Sequence, residues 1–158
     1  MPQLYRDQFA HYINVTPNED SKKWELEGIG VDALSMQFNA QVDQYKTIIS
    51  RNADAIFNGY QIQSAVSGKR IHSDDPIYTF LDEARRKATS IETELLEIDM
   101  ANTKTTGSYV AVKYDILIVI NEFLGENATI SYDLYVKGSP IQGTASISNK
   151  KPEFTETV

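Results

Sequence analysis

From Leu34 onward the chain alternates strictly: Leu34, Met36, Phe38, Ala40 and Val42 are separated by Ser35, Gln37, Asn39, Gln41 and Asp43. A period of two matches a strand with one face on a core and the other in water, and no helical period fits it. Residues 45–50 (YKTIIS) continue the extended chain, and a loop runs through Arg51-Asn52-Ala53-Asp54 to Asn58-Gly59, a pair that tolerates positive φ. Residues 60–66 (YQIQSAV) then read as the return strand of a long hairpin. One helix interrupts this pattern. Asp74 and Asp75 supply capping carboxylates ahead of Pro76, whose fixed φ and missing donor suit the first helical position. Ile77, Phe80, Leu81, Ala84 and Ala88 recur at helical spacing, with Asp82 and Glu83 early and Arg85, Arg86 and Lys87 late, the order that complements a helix dipole. The helix is expected to end near Ala88 or Thr89 and to lay one apolar stripe, Phe80 included, on a sheet.

The second half returns to strands over 91–100, 108–120, 130–136 and 141–148, rich in β-branched and aromatic residues and separated by the Gly-bearing turns TKTTG, FLGENA and KGSP. Lys137-Gly138-Ser139-Pro140 predicts a hairpin turn between the last two. The segment up to about residue 9 and the tail 150–158 read as loosely tied arms that depend on a partner. The expectation is a single α+β, mainly β domain over 1–158: two packed antiparallel sheets or a flattened β-barrel, with one flanking helix and a long hairpin loop.

Length and composition narrow the function. A chain of 158 residues with 41% hydrophobic and 23% charged residues is one ordinary globular domain with a core of its own. Acids outnumber bases 22 to 15, a net charge of −7, which argues against gripping nucleic acid, since that affinity comes from Lys and Arg at phosphates. Without cysteine there is no disulfide, thiolate metal site or Cys nucleophile. The longest apolar run, 116–120, is strand-sized, and the N-terminus lacks a signal-peptide pattern, so a soluble, non-exported, membrane-free protein is expected.

The chemical motifs are thin. Gly28-Ile29-Gly30-Val31-Asp32-Ala33 fits G-x-G-x-x-G/A, but dinucleotide binding needs a helix to begin there, and the next element is the alternating strand. A turn is the simpler reading. His72 beside Asp74 and Asp75 offers too few ligands for a metal, and helix capping explains the two carboxylates. Glu92 and Glu94 share a strand face, an arrangement a glycosidase-like pair would use, although a solvated charged strand is the commoner outcome. No nucleophile, base and orienting partner assemble. The expectation is no cofactor, no metal, no enzymatic activity, and a structural or binding role.

The order of these elements resembles the major tail (tail tube) proteins of long-tailed bacteriophages, especially those infecting Gram-positive bacteria. The resemblance spans about residues 24–154. It rests on the glycine turn at Gly28 and Gly30 entering VDALSMQFNAQVDQYKTII, on Asn58-Gly59-Tyr60-Gln61, on the acid–proline helix start at 74–81, and on 132–136 leading into the "G-x-P-x-x-G-T" string at 138–144. It implies a β-sandwich or barrel-like subunit that forms hexameric rings stacked into a hollow virion tube, assembled in the host cytoplasm. Implied partners are other copies of itself, a tape measure protein, and tail terminator or baseplate proteins. Genomic DNA would pass through without specific binding. On this reading Gln37, Asn39, Gln41 and Asp43 line the lumen with Asp133, Gln142, Thr144 and Ser146, and Arg51, Asn52, Asp54 and Asn58 form an inter-ring loop. Another β-rich tail module (terminator, baseplate or carbohydrate-binding domain) and a small hydrolase using Glu92 and Glu94 are the alternatives.

Overall fold

The computed structural model describes residues 3–28, 30–31, 34–124 and 127–157. After a short 3-10 turn at Arg6–Gln8 come β1 (Phe9–Asn14), β2 (Trp24–Leu26), β3 (Met36–Gln37), β4 (Ala40–Tyr45), β5 (Asp54–Tyr60) and β6 (Gln63–Arg70). The helix α1 (Pro76–Lys87) precedes β7 (Ile91–Thr105), β8 (Ser108–Phe123), β9 (Thr129–Ser148) and β10 (Lys151–Glu156). The protein is therefore mainly β with one helix. Its strands form two antiparallel sheets, an eight-stranded one in the order β2-β1-β7-β8-β9-β6-β3 with β10 on β9, and the β4–β5 hairpin.

The long strands β7, β8 and β9 organise the large sheet, and β7 shows how. In IETELLEIDM the buried positions are Ile91, Thr93 and Leu95, then Leu96 and Ile98, with Met100 packed behind them. The doubled leucine shifts the apolar phase by one residue, which in a strand moves burial to the opposite face. The sheet consequently carries two cores, on opposite faces and displaced along the strands. On the first face Leu95, Tyr114, Ile116, Ile118, Ile130, Tyr132 and Leu134 pack under Ile77, Leu81 and Ala84 of α1. On the second, Leu96, Ile98, Ala111 and Ala145 meet Tyr12 and Trp24, with Phe154 of β10 against them. Trp24 lies on β2, at one end of the strand path, and Phe154 on β10, which branches from β9, so the sheet curls over its second core. The Lys151 Nζ to Glu25 Oε1 ion pair, 2.9 Å, bridges β10 and β2, yet among the described residues no ladder joins them and the barrel stays open.

Three expectations change. The Lys137–Pro140 string does not reverse the chain: β9 runs straight through it, with Lys137 opposite Asp115 and Ile141 opposite Lys113, so extra residues bulge around Gly138 at φ 68°. β8 is long enough to pair both halves, and a continuous ladder satisfies more backbone than a hairpin would. Reversal occurs instead at Asn149 and Lys150, φ 52° and 63°, the paired left-handed geometry of a tight hairpin. The tail is consequently β10, paired from Lys151 to Glu156, with Pro152 buried. Finally, Phe80 is only half-buried, while Ile77 and Leu81 are fully enclosed. The helix begins as its sequence predicts, with Asp75 accepting from the Ile77 N–H at 3.0 Å, and ends on Ala88 at φ 53°.

Two substitutions check this arrangement. Leu81→Ala is expected to cost about 2–5 kcal/mol in denaturant unfolding, with Phe80→Ala well below the figure for a buried phenylalanine. At Gly143, an added Cβ would lie 2.2 Å from the Thr155 carbonyl and 2.6 Å from the Phe154 ring. Gly143→Ala should cost roughly 1–3 kcal/mol and speed hydrogen exchange across β10 more than across β7.

Candidate assembly surface

The alternating segment runs from a buried anchor into an exposed hairpin. Its first residues are anchored: Leu34 is buried, and Ser64 Oγ donates to the Ser35 carbonyl at 2.6 Å. Asn39 takes a left-handed φ of 46°, which ends β3 and starts β4 in a new direction. Beyond it every residue of β4 is exposed. The expected burial of one face against this protein's core therefore holds for Leu34 and Met36 and stops there, leaving Phe38, Ala40 and Val42 exposed. The partner strand is Asp54–Tyr60, not 60–66, and the loop is shorter, 46–53. Asn58-Gly59 falls inside β5, where Gly59 at φ 102° accompanies a bulge between Ala40 and Val42.

The hairpin still segregates its residues. Val42 stands opposite Phe57 and Ala40 opposite Tyr60, and the Tyr60 ring meets Phe57 at 4.8 Å and Phe38 at 5.5 Å, edge to face. At the tip, Ile48 and Ile49 are 104% and 92% exposed. A two-stranded hairpin is marginal by itself in water. One that displays an aromatic cluster and two bare isoleucines has an apolar surface with no cover among the described residues.

The residues assigned to an inter-ring loop divide. Arg51 and Asn52 lie in the loop, whereas Asp54 and Asn58 belong to β5, facing β4 through Tyr45 Oη to Asp54 Oδ2 (3.3 Å) and Asn58 Nδ2 to Asp43 Oδ2 (2.7 Å). All are exposed. The residues assigned to a lumen also divide. Gln37 and Asp133 lie on the sheet face opposite α1, with Gln63, Ala65, Val119 and Tyr135 in register. Gln142 and Thr144 pair with Val112 and Val110, placing them and Ser146 on the other face at the far end of β9. Asn39, Gln41 and Asp43 are on the hairpin. The structure does not bring the set together. Sequence reading missed Asp115, Leu117, Val119 and Tyr135 on the Gln37–Asp133 face, because β8 is apolar on both faces there and shows no alternation.

The remaining motifs have local explanations. Lys137 pairs with Glu92 at 2.8 Å, and that hydrogen bond holds the Glu92 carboxyl below its ordinary range. Burial pushes the Glu94 carboxyl up, but Lys22 (2.8 Å) and Lys113 (3.0 Å) outweigh it and leave it lowered. Both are thereby kept ionised, opposite to the raised acid that glycoside hydrolysis requires. His72 is exposed while Asp75 turns inward, and no group of three metal-ligating side chains occurs among the described residues. In the glycine motif, Ile29, Asp32 and Ala33 lie outside the described residues. Gly30, at φ 74°, accepts from Arg70 N at 3.0 Å where a Cβ would sit 2.4 Å from the Arg70 carbonyl, so this glycine serves close backbone approach.

No family model matches this chain, and no curated protein does. Among solved structures, a chain of the anti-feeding prophage (AFP) baseplate, a 6-fold symmetrised cryo-EM structure, matches with a TM-score of 0.50 at 11% identity. The match covers 90% of this chain and 95% of that one, so the two share their fold nearly end to end.

Proposed function

We propose that the protein is a structural subunit of a phage-tail-like particle that assembles with further copies of itself into stacked hexameric rings, the tail tube. The observation that carries this reading is the β4–β5 hairpin. Its aromatic face and bare Ile48–Ile49 tip lack cover, and a ring neighbour or the next ring supplies it with the same surface repeated around an axis. Free edges at β2, β3 and β10 add sites where strands of adjacent subunits extend the sheet. The fold shared with a chain of a six-fold particle supports this symmetry.

In such a tube the lumen belongs to the face carrying Gln37 and Asp133, which also bears Glu92, Asp115 and the half-buried Val119. The acids and amides there, with Lys137 engaged by Glu92 and a chain net charge of −7, offer phosphate little to bind, so DNA passes without being gripped. A tape measure protein would occupy the lumen before ejection, and terminator or baseplate proteins would cap the ends. No catalytic step is part of this role. A baseplate subunit is the second reading, favoured by the particle in which the matching chain sits. It predicts single rings or mixed complexes instead of polymers.

Negative-stain microscopy of the purified chain at rising concentration and salt separates the readings. Hollow tubes are expected. Monomers at every concentration count against self-assembly, and isolated rings favour the baseplate. Ile48→Asp with Ile49→Asp should abolish assembly while leaving the melting temperature of the monomer within about 1–2 °C, since neither side chain touches the core. Tubes that persist in this variant would overturn the role given to the hairpin tip.

A further inference from the structure

The first core encloses four polar side chains that the assembly role does not use. Lys69 is fully buried, and its Nζ meets Glu27 Oε1 on one side and Asp75 Oδ2 at 2.9 Å on the other. Glu27 Oε2 in turn accepts from the Tyr132 hydroxyl. The side chains of Glu27 and Asp75 are 0% and 1% exposed. The inward position of Lys69 is built by the backbone. Ser64 and Val66 point into the core, so regular alternation would place Gly68 inside and Lys69 in solvent. A bulge between Val66 and Lys69, with Gly68 at φ 66° and its N–H on Ser131 Oγ at 2.9 Å, flips the phase. An exposed lysine would cost nothing; this one is steered between two buried acids, which is expensive unless the geometry serves something.

We propose that Lys69 and Asp75 condense into an intramolecular isopeptide bond, with Glu27 as the proton relay. Lys69 Nζ bonds to Asp75 Cγ, the Cγ–Oδ2 bond breaks, and Oδ2 leaves as water with two of the three ammonium protons. The third stays on the amide nitrogen. An ammonium and a carboxylate become a neutral amide plus water, so charge balances and no oxidant, reductant or co-reactant is needed. Glu27 takes the first proton from Nζ, freeing its lone pair, and delivers it to the departing oxygen, ending as it began.

Each part has its residue. Asp75 Oδ2 sits 2.9 Å from the amine yet makes no hydrogen bond among the described residues, so the amine approaches the carboxyl off the axis of an ordinary polar contact. Asp75 Oδ1, the oxygen that remains, accepts from the Ile77 N–H at 3.0 Å, a helix-terminal donor placed to stabilise negative charge building there. Tyr132 is a positioning residue that fixes the Glu27 carboxyl. Burial, against the pull of Lys69, raises the Glu27 carboxyl above its ordinary range, which suits a group that must hold a proton in passing. Enclosure also excludes the water that would hydrolyse the intermediate. The product removes two charges from a dry site and ties the end of β6 to the start of α1.

Intact-mass spectrometry of the full-length chain, denatured after folding, tests this directly. The expected mass is lower than that of the sequence by one water. Trypsin then cuts after Arg70 but not after the acylated Lys69, so peptides 52–70 and 71–85 stay joined, which a cyclised aspartate of equal mass would not achieve. Full mass in the folded wild-type chain after prolonged incubation overturns the proposal, as does a water loss with the two peptides separate. Lys69→Arg keeps a buried cation and should show full mass. Glu27→Gln should retain most of the chain at full mass, and Glu27→Asp, the milder change should Gln not fold, should slow water loss at least tenfold. Water loss at the wild-type rate in either variant that melts cooperatively removes Glu27 from the mechanism.

Discussion

The structure depends on one constraint: β7, β8 and β9 are each long enough to serve two cores, and a strand can bury only alternate residues on a given face. The doubled leucine at Leu95-Leu96 resolves it by moving the buried set across the sheet partway along β7. Everything else answers to that switch. The first face needs a cover, which α1 supplies with Ile77, Leu81 and Ala84. The second face has no helix, so the sheet curls until Trp24 and Phe154 close over it. Neither device reaches the back of the α1-covered half, where Gln37, Asp133 and Tyr135 are left available to a neighbour.

How much of this could be read from the amino acids depends on whether the relevant physics is local. The helix was legible to within a residue because Asp75, Pro76 and the apolar spacing act over single turns. Strand existence in the second half was legible from β-branched content. The Lys137–Pro140 string misled because Gly and Pro mark both turns and bulges, and only the length of the opposing β8 decides which. Asn149 and Lys150 carry a real turn without glycine, so Asn149, which tolerates positive φ, was its one weak signal. The face switch at Leu95-Leu96 was present in the string IETELLEIDM, but a phase shift reads as a plain apolar run until the ladder is known.

The candidate surface was half legible for a different reason. Alternation from Leu34 to Val42 correctly implies an apolar face, but it cannot say whose core that face meets. Here Asn39, at φ 46°, turns the chain away after Met36 and Gln37 have paired with β6, so the same pattern that would bury a strand internally leaves it bare. The residues read as lumen-lining are spread over two sheet faces and the hairpin for a related reason. Residues such as Asp133 and Gln142 both alternate with apolar neighbours, yet the face switch assigns them to opposite sides of one sheet.

The hairpin and the buried polar cluster are connected through the segment between β2 and β3. Glu27 leads into it from β2, Gly30 bonds the Arg70 backbone beside Lys69, and Leu34 and Ser35 are pinned at the base of the hairpin. The root of the exposed arm is consequently fastened to the same residues that fasten α1, by Asp75 on one side and Lys69 on the other. Asn39 is still tied to Gln61, its Nδ2 donating to the Gln61 carbonyl at 3.0 Å; beyond it, among the described residues, the arm holds itself by its own ladder and aromatic contacts. An arm tied to the core at Leu34 and Ser35 with an apolar tip outside it has its direction set at the base and its outer contacts left to whatever it packs against. In the proposed assembly that division would suit an interface repeated many times, because the core fixes direction once per subunit and the ordering of the tip is deferred until burial offsets its entropy.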